Sequence, residues 1–400
     1  MLIRYELSKI FRRRVLWIAF AAFLLINAFQ LTQTTPYHGK SDPNYNLYAG
    51  RRLMYSKVEG PFTNEKINFV LDGWDATYPS IMSPQEGQQI PNDKYYTKTP
   101  YDDFIVYDEL KEEMQRQYEY NDSIKALKGY AQENLAYMGG LTDTYEGRRN
   151  QLILDTYGER TIHSFYDQTG LGAYLKYDFS SLLVLLLLLL GISPIISSEK
   201  EAGMAPLLAS SRFGRHKTIA AKIGAMVLFT AFFAVCFFLM DFLYYMVVAE
   251  FHGAGSALYT LIDFKYTPLT CTIWQYILLQ WLAKWLGMIA VGLFFVLLSS
   301  VFRETYPVFV LGTGLIALFM AVGERFRLFN PISMLTCSEQ AQELSTFNFF
   351  GYPVLTIVAL PISILLLVLV LVLLIFLVNH KQWHVSVTGL WNRKRGKAHE

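Results

Sequence analysis

The chain has 400 residues, of which 53% are hydrophobic and only 17% are charged, whereas roughly 25% of the residues in soluble domains are charged. A net charge of +2 is too small to indicate a nucleic-acid partner, and three cysteines are too few for a disulfide framework. Apolar stretches of about 20 residues, the length that crosses a bilayer, recur along the chain. The composition therefore predicts an all-α integral membrane protein with six transmembrane helices.

The first 178 residues are predicted to hold a surface helix, one span and a polar domain. Residues 1–14 are basic and amphipathic, so they are expected to lie on the membrane with Leu2, Ile3, Leu7, Ile10 and Phe11 toward lipid. Residues 15–31 resemble the apolar part of a signal peptide. Because no small-x-small cleavage pattern follows, we interpret them as an uncleaved first span. Residues 32–178 are polar and large enough for one domain.

Inside this polar domain the periodicity predicts a mainly α structure. A helix is expected from Asp102 to Met138, where an apolar stripe recurs at steps of three and four. The stripe comprises Phe104, Tyr107, Leu110, Met114 and Tyr118. It is typical of core packing, and an aromatic surface that binds a ligand is the alternative. Two further helices are predicted, one with Thr63 as its N-cap and one closed by Gly158.

The remainder of the chain predicts five further spans. The segments are span 2 (179–197), a connector (198–218), span 3 (219–249), an outer loop (250–272), span 4 (273–301), span 5 (306–323), an outer loop with short helices (324–353), span 6 (354–378) and a basic tail (379–400). Lys and Arg are concentrated in 1–14, in the connector and in the tail. The positive-inside rule therefore places both termini in the cytoplasm and the polar domain outside a plasma membrane.

No motif indicates catalysis or metal binding. The sequence has no phosphate-binding loop of the form G-x-x-x-x-G-K-[ST], no H-E-x-x-H and no G-x-S-x-G. Its seven histidines do not have metal-ligand spacing. We therefore predict no catalytic residue, no metal site and no cofactor in this chain.

Two ionisable residues fall inside predicted spans, and two cysteines fall in predicted outer loops. Asp241 in span 3 and Lys284 in span 4 are each costly near the bilayer centre, at roughly 2.5 to 3.5 kcal/mol. Either they pair with each other, or the spans tilt and both side chains reach water. Cys271 and Cys337 are candidates for a disulfide bond because both loops are expected on one side.

The connector between spans 2 and 3 carries the most specific pattern. Met204, Leu207 and Leu208 share one helical face and are flanked by charged residues. This predicts a short helix along the membrane surface, which serves either as an anchor or as a docking element for a cytoplasmic partner.

The connector resembles the corresponding segment of permease subunits of the ABC type-2 transporter family. That segment has the form E-K-E-x-G, two leucines and S-x-x-x-R, with a later Lys opening span 3. Here EKEAG starts at Glu199, and Lys222 opens span 3; Pro206 departs from the pattern. In that family the segment is the coupling helix that docks on the ATPase subunit. The resemblance assigns this role to Glu199, Lys200, Glu201, Gly203, Met204, Leu207, Leu208, Arg212 and Arg215.

The resemblance, which includes a branch common in Gram-positive bacteria with a large domain after the first span, implies an ATP-driven exporter. Two ATPase subunits would hold ATP and Mg, and a second permease chain, identical or related, would complete a dimer in membrane lipid. The substrate would be a peptide, lipid, drug or ion. Two other classes stay open: a sensor or immunity protein that binds a ligand through its outer domain, and a membrane enzyme that uses Asp241 or Lys284.

Overall fold

The computed structural model describes residues 2–34, 45–79, 96–97, 99–139, 141–158, 160–204, 214–323 and 325–381. Helices dominate these residues. They are α1 (Leu2–Phe11), α2 (Arg14–Thr34), α3 (Tyr45–Val58), α4 (Asn64–Thr77), α5 (Pro100–Tyr118), α6 (Tyr120–Tyr137), α7 (Tyr145–Thr156), α8 (Thr169–Lys176), α9 (Phe179–Ile192), α10 (Pro194–Glu201), α11 (Gly214–Val248), α12 (Ile273–Val301), α13 (Thr305–Val322), α14 (Cys337–Gln342) and α15 (Thr356–Lys381). Two antiparallel ribbons pair β1 (Gly60–Pro61) with β2 (Ser164–Phe165) and β3 (Thr346–Phe349) with β4 (Tyr352–Leu355).

Six helical stretches of the described chain are long and apolar enough to cross a membrane, which confirms the predicted all-α membrane architecture. Span 1 is α2, span 2 is the stretch α8–α10, and spans 3 to 6 are α11, α12, α13 and α15. Helix α1 and the polar domain (described residues 45–168) lie at opposite ends of span 1. We call these ends the α1 side and the domain side.

Span 2 is the centre of the bundle. Its most apolar window is 72% buried, compared with 17% for spans 1 and 5 and 22% for span 6. Small residues allow the close approach: a Cβ at Gly191 would lie 2.5 Å from the ring of Phe229, and one at Gly312 would lie 2.5 Å from Leu189. The leucine-rich sequence of span 2 is therefore explained by neighbours on all sides.

The N-terminal helix α1 packs on span 3 and not mainly on lipid. Ile10 is only 1% exposed, and the ring of Phe11 lies 5.7 Å from that of Phe229 and 5.5 Å from that of Phe232. Trp17 of span 1 donates its indole N–H to the carbonyl oxygen of Phe11 (2.7 Å) and so caps the end of α1. The expectation that Ile10 and Phe11 face lipid is corrected accordingly.

The polar domain has its own core between α3, α4 and α5. Tyr107, Leu110 and Met114 of the predicted stripe are buried there, as core packing requires, whereas Tyr118 is 69% exposed. The predicted helix over 102–138 is broken at Glu119 into α5 and α6.

Two capping predictions have opposite outcomes. The predicted N-cap Thr63 is confirmed, because its side chain accepts from the backbone N–H of Lys66. Helix α7 ends at Thr156 and not at Gly158, since Tyr157 already occupies the C-cap and bonds back to the carbonyl of Ile153.

The predicted loop 324–353 contains more structure than short helices. It has two 3₁₀ turns, Arg327–Phe329 and Pro331–Met334, followed by α14. The β3–β4 hairpin was not predicted, because its strands are only four residues long and follow helical turns.

Close backbone contact between span 4 and the 3₁₀ turn Pro331–Met334 yields a stability prediction. A Cβ at Gly287 would lie 2.6 Å from the carbonyl oxygen of Pro331 and 2.8 Å from the Cβ of Met334. We expect Gly287→Ala to destabilise the protein by about 1 to 3 kcal/mol, because backbone has to move. The measurement is the thermal unfolding midpoint in detergent. Gly314→Ala is the control, since a Cβ at Gly314 meets nothing within 4 Å; equal midpoints for the two variants would contradict the packing described.

Candidate functional site: a charged hub where spans 2 to 5 meet

Three consecutive charged residues at the end of span 2 contact different elements on the α1 side. Glu199 binds α1 and span 3, Lys200 binds the end of span 4, and Glu201 binds the start of span 5. We call this set, together with Glu6, Lys9 and Lys222, the charged hub. Its three lysines and three glutamates balance in formal charge.

The buried centre of the hub is Lys222 of span 3. Its side chain is 2% exposed, and its Nζ lies 2.9 Å from Oε2 of Glu6 and 2.6 Å from Oε1 of Glu199. It also donates to the carbonyl oxygen of Ile195 (3.0 Å). Lys9 reaches the same Oε1 of Glu199 from the surface, at 2.5 Å. A buried ammonium of span 3 with acceptors on two helices, α1 and the end of span 2, ties these three elements together.

Lys200 closes the end of span 4. The last carbonyls of a helix have no partner within the helix, and a cation is favoured there. The Nζ of Lys200, a residue that is 7% exposed, donates to the carbonyl oxygens of Ser299 (3.2 Å) and Ser300 and approaches that of Phe302 (3.4 Å). This lysine therefore caps a neighbouring helix and is not a surface charge.

Glu201 caps the start of span 5. Its Oε1 accepts from the backbone N–H of Thr305 (3.1 Å), and its Oε2 accepts from the Thr305 hydroxyl (2.8 Å). A carboxylate at a helix N-terminus is stabilised by the unpaired N–H groups and the helix dipole.

The local sequence explains why this short helix can reach so many neighbours. Pro194 has no N–H and begins α10 after a break at Ser193, whose side chain makes no capping hydrogen bond. The backbone N–H groups of Ile196 and Ser197 lie in the first turn of α10, where a helix supplies no acceptor. Both donate instead to the hydroxyl oxygen of Ser299 in span 4, at 3.0 and 2.9 Å. The helix that carries the charges is thus held by span 4 at its beginning and at its end.

The hub changes the interpretation of the residues predicted to dock on a partner. Glu199 and Lys200 are 8% and 7% exposed, and their charged groups bind other parts of this chain. Gly203 takes a left-handed φ of 69° and ends the described segment together with Met204, which is 49% exposed. Leu207, Leu208 and Arg212 lie outside the described residues, as does the side chain of Arg215.

Sequence reasoning overlooked Glu6 and Lys9 as members of the site. Glu6 is spaced by four residues from Leu2 and from Ile10, so it lies on the apolar face of α1. A carboxylate on the apolar face of an amphipathic helix predicts a cationic partner in the protein interior, and this pattern was the available signal for Glu6.

The two charges predicted inside the membrane take different partners. Lys284 lies 2.6 Å from Oδ1 of Asp178 and donates to the carbonyl oxygen of Tyr177 (3.2 Å), at the break between α8 and α9. Asp241 accepts from the side-chain amide of Asn27 in span 1, at 2.7 Å. A direct pair of Asp241 with Lys284 is therefore replaced by two contacts that join spans 1 and 3 and spans 2 and 4.

The cysteines give a second correction. Cys271 and Cys337 are free thiols, so the candidate disulfide bond is absent. Cys337 is buried, and burial raises the pKa of its thiol to about 12. Within the described part of the chain no group of three His, Cys, Asp or Glu side chains is placed to hold a metal ion.

On the domain side, a histidine latch joins the polar domain to the end of span 3. Nδ1 of His252 lies 3.0 Å from Oε2 of Glu59, and its Nε2 lies 3.1 Å from Oε2 of Glu250. Arg52 of α3 pairs with the other oxygen of Glu250 at 2.8 Å. These groups border a cavity of ≈ 70 Å³ together with Asp167. Burial lowers the pKa of His252, but the hydrogen bond to Glu250 and the charges of Glu59, Glu250 and Asp167 raise it overall.

Comparison with known proteins adds no family assignment. No protein-family model matches the sequence, and no curated protein matches it. The six apolar helices support an integral membrane protein, and the contacts of the hub are the basis for any finer functional statement.

Removal of the buried cation tests the hub. Lys222→Met leaves the carboxylates of Glu6 and Glu199 buried without their shared partner. We expect a loss of about 3 to 5 kcal/mol in the free energy of unfolding, the usual cost of breaking a buried ion pair on one side. Reversible unfolding in mixed micelles measures it. The control is Lys217→Met, at an exposed lysine five residues earlier on the same helix; a loss of equal size there would argue against the hub.

The histidine latch predicts a pH dependence of stability. Because the folded pKa of His252 is raised above 6.5, the protonated contact contributes fully below the unfolded pKa and is lost as the pH rises through the folded pKa. The thermal midpoint of the wild type should fall as the pH rises past 6.5, and His252→Gln should flatten this slope. His163→Gln, at an exposed histidine of the polar domain, should retain it; a wild-type slope in His252→Gln would refute the latch.

Proposed function

We propose that the chain is the membrane-spanning subunit of an ATP-driven exporter of the ABC type-2 kind. It dimerises with a second permease chain, identical or related, and couples to two separate ATPase subunits that hold ATP and Mg. The exported substrate belongs to the peptides, lipids, drugs or ions. In this proposal the α1 side is cytoplasmic and the polar domain is outside a bacterial plasma membrane, as the distribution of Lys and Arg indicates.

The observation that carries the proposal is the position of the hub. The predicted connector (198–218) begins with the three charged residues that bind α1 and spans 3, 4 and 5. A push on this connector reaches four elements at once, because packed helices shift as units and deform little. A connector bonded to so many helices suits a subunit that is moved by a partner and has no nucleotide site of its own.

The hub also refines which residues would touch the ATPase. Glu199, Lys200 and Glu201 transmit movement from within the chain, whereas Gly203 and Met204 are the described residues that lead into the docking surface. Leu207, Leu208, Arg212 and Arg215 remain proposed ATPase contacts on the strength of the sequence pattern.

The contacts between the polar domain and the loop that joins spans 3 and 4 favour a second function. Arg160 donates to the carbonyl oxygen of Thr267 (2.7 Å), and Gln168 donates to Thr260 (2.8 Å), so the domain is fixed to the loop between spans 3 and 4. A sensor that passes ligand binding from this domain to span 3 would use the same contacts. It would need no ATPase.

Photo-crosslinking distinguishes the two functions. A benzophenone amino acid at Met204, which is 49% exposed, should capture an ATPase with a phosphate-binding loop when membranes of the native host are irradiated, and mass spectrometry identifies the product. The same amino acid at Tyr137 of the polar domain, which is 93% exposed, should not. If Met204 yields no ATPase while the purified protein retains its fold, the exporter assignment is rejected in favour of the sensor.

A further inference from the structure

The β3–β4 hairpin lies at the membrane boundary on the domain side. Its second strand ends at Leu355, and Thr356 is the first residue of span 6, so no linker separates them. A strand of four residues covers about 13 Å. The whole hairpin is therefore within about that distance of the point where the chain enters the apolar layer.

This hairpin exposes aromatic rings and contains no charge. Phe347, Phe349, Phe350 and Tyr352 are 43%, 55%, 88% and 58% exposed, and none of residues 346–355 is Asp, Glu, Lys or Arg. Aromatic side chains gain most from leaving water, since each can bury about 150 to 250 Å². A contiguous uncharged patch of this kind indicates a contact surface.

The tip of the hairpin adds a second, independent observation. Phe350 takes a left-handed φ of 50°, followed by Gly351 at 87°. Tight hairpin turns with two positive φ angles favour Asn-Gly or Gly-Gly, because a bulky residue is strained there. The strained turn holds the Phe350 ring at the tip of the hairpin, where it is 88% exposed. An exposed phenyl ring is unfavourable in water, so its position points to surroundings other than water.

An arginine beside the rings indicates what those surroundings are. The guanidinium of Arg148 lies 3.9 Å from the centroid of the Tyr352 ring, and its Nη1 donates to the carbonyl oxygen of Gly351 (3.1 Å). Its ionic neighbour, Asp143 at 3.7 Å, is almost wholly exposed. Aromatic rings with an adjacent arginine match the membrane interface, where rings lie at the level of the headgroups and the cation meets phosphate.

We propose that the hairpin inserts its aromatic tip into the lipid leaflet on the domain side, with Arg148 toward lipid phosphate. The occupant of this surface is phospholipid. The Tyr145 hydroxyl bonds to the Thr346 hydroxyl at 2.9 Å, and Arg148 and Tyr145 both belong to α7. The hairpin therefore anchors the polar domain to the leaflet, and this role does not depend on the exporter assignment.

Photo-crosslinking at the tip tests the proposal in the complete chain. We place p-benzoylphenylalanine, an aromatic residue that keeps the ring, at position 350 and at the control position 137, where Tyr137 is 93% exposed on α6. After irradiation in vesicles of phosphatidylglycerol and phosphatidylethanolamine, mass spectrometry should find phospholipid attached at 350 at several times the level at 137. Equal lipid labelling at both positions would overturn the proposal. A crosslink from 350 to a second copy or to another protein would also overturn it.

Discussion

The arrangement of the helices on the α1 side depends on one buried ammonium group. Lys222 sits almost without solvent contact between the carboxylates of Glu6 and Glu199. An isolated charge in that position would cost several kcal/mol, so α1 and the end of span 2 have to stay where their carboxylates offset it. Once Glu199 is fixed, its neighbours Lys200 and Glu201 are brought to the open ends of spans 4 and 5. The packing of the bundle and the placement of the connector thus share one electrostatic origin.

Different kinds of interaction hold the elements together on the two sides of the protein. On the α1 side, charges bind unpaired backbone groups at helix ends, which are fixed in direction and respond to small shifts. On the domain side, the polar domain is fixed by side chains that reach the loop between spans 3 and 4 and by the histidine latch at the end of span 3. Between these regions, the Asn27 side-chain amide donates to Asp241 and so bonds span 1 to span 3. Span 3 takes part on both sides, through Lys222 in the hub and through the histidine latch that follows its other end.

Hydropathy predicted the six spans because a stretch of about 20 apolar residues has few alternatives. Thr63 was predicted as an N-cap because capping is local chemistry. The partners of charged residues were beyond the sequence, because tertiary packing decides them: Lys284 met Asp178, which lies at a break in span 2 that residue types alone do not locate. Glu199 and Glu201 looked like surface charges because they flank an amphipathic segment, yet the turn begun by Pro194 directs one inward and the other onto span 5. The β3–β4 hairpin escaped prediction because short strands leave too few alternations to count.

A double-mutant cycle between Glu199 and Lys222 tests most directly whether one interaction organises the α1 side. Glu199→Gln, Lys222→Met and the double variant would be compared by their free energies of unfolding in mixed micelles. Direct contact predicts that the double variant loses less stability than the sum of the single losses, by about 1 kcal/mol or more. Additive losses within about 0.5 kcal/mol would show that the two residues act independently, and the hub would then not be the interaction on which the bundle depends.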